Sequence, residues 1–315
     1  MKEIGGYLEL ENPSGYEYYS DLKAVNSARN GLLYLLKAKR VEKLYIPYFL
    51  CDSVSGVCKR EGFSYEYYNV TSDFLPDFDK KLESNEYLYI VNYYGQISNE
   101  RIIQFKQKFK NIILDNVQAF FQKPLVGIDT IYSCRKFFGV PDGAYVSTDA
   151  DIKTFLPQDL SYDRMTHILG RYEKECASSH YADFRKNEQR FAELELRNMS
   201  NLTHALLKAI DYEAVKSIRE ENFKFLNEKL ASVNLLKLSV PVGPYAYPFY
   251  CKSGSMIKKE LAEQKIYIPT LWPEVIQMGQ PLEKKFAENI LPLPCDQRYD
   301  LTDMERVVFE ILKRL

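Results

Sequence analysis

The sequence contains few of the residues on which many common functional sites depend. Its 315 residues include three histidines, one tryptophan and six cysteines, and no two cysteines form a Cys-x-x-Cys pair. Because zinc sites are built from clustered cysteine and histidine ligands, we expect no metal site. We interpret the cysteines as reduced, mostly buried thiols of a cytoplasmic protein, at positions 51, 58, 134, 176, 251 and 295.

Charge and hydropathy argue against two further classes of protein. The formal net charge is −1, so the chain lacks the basic excess that nucleic acid or an anionic membrane attracts. No apolar run reaches the length of a membrane-spanning helix, and the N-terminal stretch MKEIGGYLELE contains no apolar signal segment. The sequence therefore predicts a cytoplasmic globular protein with neither nucleic acid nor membrane as a partner.

The order of the elements predicts an α/β fold. Strand-like and helical stretches alternate over the first 150 residues, as in a mostly parallel sheet with crossover helices. Residues 150–235 have helical spacing, strand signals return from Leu236, and Thr302 and Glu305 predict a capping box before the last helix. We predict an N-terminal arm or edge hairpin at 1–20, a large domain with connecting helices at 21–215, and a smaller α+β domain at 216–315.

The stretch from Ile112 to Thr148 contains the strongest functional pattern. One apolar run ends in Asp115, with Gln118 three residues later, and a second leads through Ser133 to Lys136. Strands that end in a carboxylate and a lysine place both groups at the carboxyl edge of a sheet, where open α/β folds bind ligands. Lys136 is then a candidate amine nucleophile toward a carbonyl. Alone, however, Lys136 could be an exposed loop lysine and Asp115 a strand-end carboxylate that caps a helix.

A possible anion site lies earlier in the chain. Ser27 precedes a periodic apolar set and is a plausible N-cap of a helix. The N-terminus of a helix offers free N–H groups and the positive end of a dipole to an anion. The same serine could also be a cap and nothing more.

These motifs together resemble the DegT/DnrJ-type sugar aminotransferases. The resemblance consists of Asp115-x-x-Gln118, then Lys136, then Asp142-Gly143, and the order of elements extends it over nearly the whole chain. It implies fold type I of the pyridoxal-phosphate (PLP) enzymes, with helices on both faces of the central sheet. It further implies that Asp115 pairs with the pyridinium nitrogen, that Gln118 lies beside the ring, and that Lys136 forms the Schiff base.

The resemblance is weaker at the cofactor phosphate and at the ring face. Where the family usually has Ser-Gly-Thr, this chain has Ser27, Ala28 and Arg29. Before the lysine it has a Ser-x-Arg-Lys pattern, which resembles a divergent branch of the family. The aromatic residue that stacks on the ring corresponds to Tyr48, to Phe49, or to the position of Cys51. The resemblance thus implies a set of further cofactor-binding residues: Ser27, Ala28, Arg29, Phe49, Cys51, Ser133 and Arg135.

The reaction implied by the resemblance is transamination. An amino acid such as glutamate would donate its amino group to a keto-sugar nucleotide for a surface polysaccharide or related glycan. The substrate side would include Tyr94 and Trp272, and the family implies a homodimer. Two alternatives remain: another PLP enzyme that acts on a small amino compound, and a binding or regulatory protein that has the fold without catalysis.

Overall fold

The computed structural model of the protein describes residues 4–174 and 177–315, so Cys176 lies outside the described residues. The strands of this part of the chain are β1 Lys23–Val25, β2 Lys43–Pro47, β3 Ser64–Val70, β4 Pro76–Asp77, β5 Glu86–Val91, β6 Ile112–Asp115, β7 Asp129–Ser133, β8 Ala144–Ser147, β9 Tyr247–Tyr250 and β10 Ile290–Leu293. The helices are α1 Ala28–Ala38, α2 Asp52–Glu61, α3 Asn99–Phe109, α4 Thr166–Lys174, α5 Tyr181–Arg190, α6 Asn201–Lys208, α7 Tyr212–Leu230, α8 Gly254–Glu263, α9 Val275–Met278, α10 Pro281–Asn289 and α11 Leu301–Leu312.

The central sheet has eight strands in the order β1-β8-β7-β6-β5-β2-β3-β4. The pairs from β7 through β6, β5 and β2 to β3 are parallel, whereas β8, β1 and β4 pair in antiparallel fashion at the two sides. Strand β6 is buried throughout and its apolar residues are continuous, as is typical of parallel strands covered on both faces. The predicted α/β class with a mostly parallel sheet is confirmed.

Strand register brings the motifs to one edge of this sheet. Asp115, the last residue of β6, is aligned with Val91 near the end of β5 and with Ile131 on β7. The chain leaves β2 toward β3 on one side, while β5, β6 and β7 extend the sheet on the other side. Such a switch in strand order opens a crevice at the carboxyl ends of the strands, and the segments after β2, β6 and β7 all meet there.

A second, two-stranded antiparallel sheet of β9 and β10 belongs to the C-terminal part. Helix α7 connects the two parts, since Tyr212 packs in a cluster with the large sheet whereas Phe223, Leu226 and Leu230 pack around β9 and β10. The predicted domain boundary at 215/216 falls inside this one helix and stays a prediction.

The N-terminal segment is irregular and largely exposed up to Tyr16. Residues 4–20 contain no strand, so the hairpin alternative is not observed there, and Ile4, Tyr7 and Leu8 are each more than nine-tenths exposed. Tyr19 ends this arm: its side chain is buried, and its hydroxyl donates to the Phe120 carbonyl at 2.6 Å. None of the described helices combines the length and the apolar character that crossing a bilayer requires.

The last helix begins two residues earlier than the sequence predicted. Its capping box consists of Asp300 and Asp303: the Asp300 carboxylate accepts from the Asp303 N–H at 3.0 Å, and the Asp303 side chain accepts from the Asp300 N–H at 3.3 Å. The predicted pair, Thr302 and Glu305, therefore lies inside the helix. The correction has a physical reason, since an aspartate is as good an N-cap as a threonine and its charge also favours the positive helix end.

Replacing Asp300 by alanine should lower the free energy of unfolding by about 1 kcal/mol, because the first turn loses its cap. Urea titration monitored by circular dichroism measures this change. Thr302→Ala is the matched control, since Thr302 is exposed in the first turn and should have almost no effect. If Thr302→Ala costs more than Asp300→Ala, the cap has been placed wrongly.

Candidate functional site

A cavity of about 640 Å³ lies at the carboxyl ends of the central strands. Ten of the residues predicted for the site line it: Ser27, Ala28, Arg29, Cys51, Asp115, Gln118, Ser133, Arg135, Lys136 and Trp272. These residues come from segments up to 245 positions apart in the chain, yet the fold gathers them around one space. The cavity is therefore the candidate active site.

The structure does not bring the side chains of Phe49 and Tyr94 to this cavity. Phe49 is buried behind it, where its ring packs edge-on against Trp272 at 4.8 Å and its carbonyl accepts from the Tyr93 hydroxyl. Tyr48, the other aromatic candidate, stacks on Tyr67. Of the three positions considered for a ring-stacking group, only Cys51 lines the cavity.

Asp115 is almost fully buried at the end of β6. One carboxylate oxygen accepts from the Tyr89 hydroxyl at 2.8 Å, and the other accepts from the Val117 N–H at 2.9 Å. Burial raises the pKa of Asp115, and the Val117 N–H, the nearby charge of Lys136 and the Tyr89 hydroxyl oppose that shift without cancelling it. The site thus contains a desolvated carboxylate that an additional cation would stabilise.

Gln118 has one hydrogen bond and one vacant donor. Its Oε1 accepts from the Tyr94 N–H at 2.8 Å, which fixes the side chain, whereas Nε2 is buried with no partner among the described residues. Tyr94 itself has φ of 53°, a left-handed conformation that is uncommon for a residue other than glycine. Because buried donors are nearly always paired, the free Nε2 in the cavity wall indicates a missing acceptor.

The N-terminus of α1 borders the same cavity. Ser27 is its N-cap and accepts from the Asn30 N–H at 3.2 Å, as predicted. A chain of side-chain hydrogen bonds fixes the start of the helix: Asn30 donates to Asn26 at 2.8 Å, and Asn26 donates to the buried Asp159 at 3.1 Å. Arg29 lies in the first turn and faces the cavity, and no described residue accepts a hydrogen bond from its guanidinium. A rigid helix end with an uncommitted arginine is suited to binding an anion.

Ser133 and Arg135 complete this corner of the cavity. Ser133 ends β7, and its hydroxyl has no hydrogen-bonding partner in the described part of the chain. Arg135 is already engaged: it forms an ion pair with Glu188 on α5, and its guanidinium lies 3.9 Å from the Phe191 ring centroid. Burial lowers the pKa of Arg135, and the Glu188 carboxylate opposes that shift.

Lys136 lies in the turn that follows β7. The Phe137 N–H closes this turn on the Cys134 carbonyl at 3.0 Å, and the half-buried lysine extends into the cavity. Its Nζ lies 5.5 Å from the Tyr245 ring centroid and forms no hydrogen bond or ion pair with the described residues. The amine is therefore held near Asp115 without being occupied by a partner.

Asp142 and Gly143 have a structural role. The buried Asp142 carboxylate accepts from the Ser200 N–H at 3.0 Å, from the Ser200 hydroxyl at 2.7 Å and from the Thr203 hydroxyl. Gly143 has φ of 111°, and a Cβ there would lie 2.9 Å from Thr203 Cγ2. This pair therefore anchors the start of α6 against β8 and lies outside the cavity lining.

Comparison with known proteins gives a clear result only at the level of three-dimensional structure. Protein-family models and curated protein sequences give no match. Among solved structures, a DegT DnrJ EryC1 StrS aminotransferase from Brucella abortus is 15% identical, with a TM-score of 0.63 over 93% of this chain and 85% of that one. NtdA from Bacillus subtilis with bound cofactor PMP is 16% identical, with a TM-score of 0.64 over 93% and 72% of the two chains. Helicobacter pylori PseC, an aminotransferase involved in pseudoaminic acid biosynthesis, is 14% identical, with a TM-score of 0.62 over 92% and 85%.

This chain has the fold of the DegT/DnrJ/EryC1/StrS aminotransferases. The predicted fold type I is therefore confirmed. Within this aminotransferase fold, sequence reasoning missed Tyr89, Tyr245 and Glu188, which all contribute to the cavity. Tyr89 could have been found from strand register, because Tyr89 is aligned with Ile113, two residues before Asp115, and so shares its face of the sheet.

One cluster near the cavity has a ligand set that a metal could use. Single ligand atoms of Cys51, Asp52 and Glu274 lie within 4.8 Å of one another. The arrangement has a simpler explanation, since Glu274 accepts from the Asp52 N–H at 3.0 Å and thereby caps α2, whose own N-cap residue Cys51 makes no side-chain cap. The prediction of no metal site stays a prediction.

The raised pKa of Asp115 predicts how Asp115→Asn changes stability with pH. Since the folded-state pKa lies above the unfolded value, the stabilisation from Asp115 is complete below the ordinary carboxyl range and is lost as the pH rises through the folded-state pKa. The cofactor-free Asp115→Asn variant should therefore gain stability relative to wild type across that window. Each unit by which the two pKa values differ contributes about 1.4 kcal/mol.

Urea unfolding of both cofactor-free proteins measures this difference. The pH series runs from about 4, the ordinary pKa of a carboxyl group, to neutral pH. In otherwise wild-type protein, Tyr89→Phe should increase the stability that is lost as the pH rises, because it removes a donor to the ionised Asp115 carboxylate. Tyr68→Phe is the control, because that hydroxyl bonds the Tyr89 carbonyl at 2.6 Å and makes no bond to Asp115. A stability difference that does not change with pH contradicts the account.

Proposed function

We propose that this protein is a PLP-dependent aminotransferase that transfers an amino group from an amino-acid donor to a keto-sugar nucleotide, for a surface polysaccharide or related glycan. We further propose that it is a cytoplasmic homodimer. The observation that carries the proposal is the convergence of Asp115, Gln118 and Lys136 on one cavity beside the N-terminus of α1. Some structures of similar fold are named as sugar aminotransferases, which supports the same proposal.

The unsatisfied groups of the cavity fit this cofactor. A desolvated carboxylate at Asp115 suits a protonated ring nitrogen, and the partnerless Nε2 of Gln118 suits an oxygen on the ring. The Ser27 N-cap and the uncommitted Arg29, which line the same cavity, suit a phosphate group. One molecule with a cation, an acceptor and an anion thus matches all three groups of residues.

The protein residues then have separate tasks. When bound, PLP supplies an aldehyde that condenses with amines and a ring that delocalises the electrons of the adjacent carbon. Asp115 would keep the ring nitrogen protonated, because a buried anion stabilises the cationic form of its neighbour. Gln118 would donate to the cofactor through Nε2, since the Tyr94 N–H already fixes its amide.

Lys136 is the nucleophile and the proton carrier of the proposed reaction. Its amine is free of hydrogen bonds from the described residues, so no hydrogen bond to the protein has to break before the deprotonated amine attacks a carbonyl carbon. With PLP bound, the same amine would accept a proton from the substrate carbon and return it one position away. The half-buried position limits access of water to these steps.

The rim of the cavity supports a sugar or nucleotide as the acceptor. Trp272 and Tyr267 both line it, and Trp272 is held edge-on by Phe49. Trp272 also has φ of 63°, a strained conformation for a bulky residue, of a kind that clusters at functional sites. Aromatic faces such as these stack on sugar rings and bases.

Lys136→Ala should abolish a visible absorption band that wild-type protein acquires when it is mixed with PLP. Borohydride reduction followed by peptide mass spectrometry should place the cofactor on Lys136 in wild type. Lys265→Ala is the matched control, because Lys265 lines the same cavity and should leave the band unchanged. Adding glutamate should then convert the band, and a keto-sugar nucleotide should restore it. If wild-type protein shows no visible band at saturating PLP, the proposed enzyme function is wrong.

Arg29→Ala should weaken PLP binding but leave the affinity for pyridoxal, which lacks the phosphate, unchanged. Loss of a charged hydrogen bond to the phosphate costs roughly 1.5–3 kcal/mol, or about tenfold to a hundredfold in affinity. Fluorescence titration with both compounds separates the two cases. Equal losses for PLP and pyridoxal would mean that Arg29 supports the fold and not the phosphate.

A further inference from the structure

Arg219 is the largest fully buried side chain of the described residues and bears a charge. It lies on α7, with 2% of its surface exposed. Burial lowers the pKa of Arg219, and the charge of Asp296 opposes that shift. The Asp296 carboxylate nevertheless accepts its hydrogen bonds from the Arg298 guanidinium, at 2.6 and 2.7 Å. A buried cation without a directly bonded carboxylate is costly, so its retention calls for an explanation.

Each nitrogen of the guanidinium donates at least one hydrogen bond, and all its acceptors are oxygens of carbonyl or amide groups. Nε donates to the Gln297 side chain at 2.8 Å, Nη1 to the Pro244 carbonyl at 2.8 Å, and Nη2 to the Phe137 carbonyl at 3.2 Å. Gln297 bonds the same acceptor as Arg219 Nη2, since its Nε2 donates to the Phe137 carbonyl at 2.9 Å. Two side chains from the C-terminal part thus converge on one carbonyl of the large sheet domain.

That carbonyl belongs to the residue that follows Lys136. The Phe137 N–H is fixed by the Cys134 carbonyl, and Arg219 and Gln297 fix the carbonyl on the other side. Both peptide polar groups of Phe137 are therefore held, and its ring lies 4.7 Å from the guanidinium. Arg219 also holds the segment of Tyr245, the ring next to Lys136 Nζ.

We propose that Arg219, together with Gln297, is a positioning residue that fixes the turn of Lys136 relative to the cavity. The planar fork of arginine reaches three segments at fixed angles, which lysine cannot do. The inference rests on the proposed role of Lys136 in the reaction. It means that the C-terminal part of the chain positions the reactive amine through the Phe137 carbonyl.

The test compares Arg219→Lys and Gln297→Ala with wild type in two measurements. The first is the rate at which a small amine-reactive reagent labels Lys136 in cofactor-free protein, with Lys265 as the internal reference. The second is the rate of appearance and the position of the visible band after mixing with PLP. A displacement of about 1 Å can cost on the order of a hundredfold in rate, so we expect tenfold to hundredfold slower band formation and an altered Lys136 labelling rate.

Asn222→Ala is the matched control. Asn222 lies one turn further along α7, is equally buried, and holds the Tyr299 and Cys295 carbonyls at 2.9 and 3.4 Å without contacting the Lys136 turn. It should lower the melting temperature and leave both Lys136 measurements unchanged. Gln297 is only half-buried, so Gln297→Ala provides a folded variant if Arg219→Lys does not fold.

The outcomes separate this inference from the proposed function. Altered labelling of Lys136 in both variants supports positioning, even if wild type forms no band with PLP, a result that would defeat only the proposed function. Labelling and band formation at wild-type rates, with a loss of stability like that of Asn222→Ala, would overturn the positioning role.

Discussion

The carboxylate of Asp115 imposes the constraint on which the rest of the site depends. A charge removed from water is stabilised only if neighbouring donors and cations replace the lost hydration. Tyr89 and the Val117 N–H supply two hydrogen bonds, and Lys136 supplies a nearby charge, yet burial still dominates the pKa of the group. The protonated ring nitrogen of the proposed cofactor would supply the further positive charge that stabilises this carboxylate.

Parallel strand pairing explains why so distant residues meet around this carboxylate. The ends of β2, β6 and β7 lie on one edge, so Cys51, Asp115 and the Lys136 turn are neighbours despite their separation in the chain. The N-terminus of α1 reaches the same edge because Asn26 and Asn30 tie it to the buried Asp159. The N-terminus of α1 and the Asp115 carboxylate thus line a single cavity, and the proposed cofactor carries both an anionic phosphate and a cationic ring nitrogen.

Sequence patterns predicted the parts of this arrangement that local chemistry determines. The Ser27 cap, the strand ending in Asp115 and the turn of Lys136 follow from hydrophobic runs and from residues that end them. Side-chain direction was not predictable in the same way: Phe49 lies two residues after a strand, and only tertiary packing turns its ring toward Trp272 and away from the cavity. The cap at Asp300 was missed because both Asp300 and Thr302 satisfy the local preference, and the packing of α11 decides between them.

Long-range polar contacts were wholly beyond sequence reasoning, and Arg219 shows why. In the sequence it is one of many charged residues of an amphipathic helix, a pattern that is typical of a solvated face. The fold buries it because α7 lies between two hydrophobic clusters, where backbone carbonyls of two segments and the Gln297 side chain accept its hydrogen bonds. If the Lys136 turn were fixed only by the hydrogen bond within it, from the Phe137 N–H to the Cys134 carbonyl, it could move independently of the C-terminal part. With its following carbonyl held from α7 and from Gln297, the turn moves only if the C-terminal part moves as well.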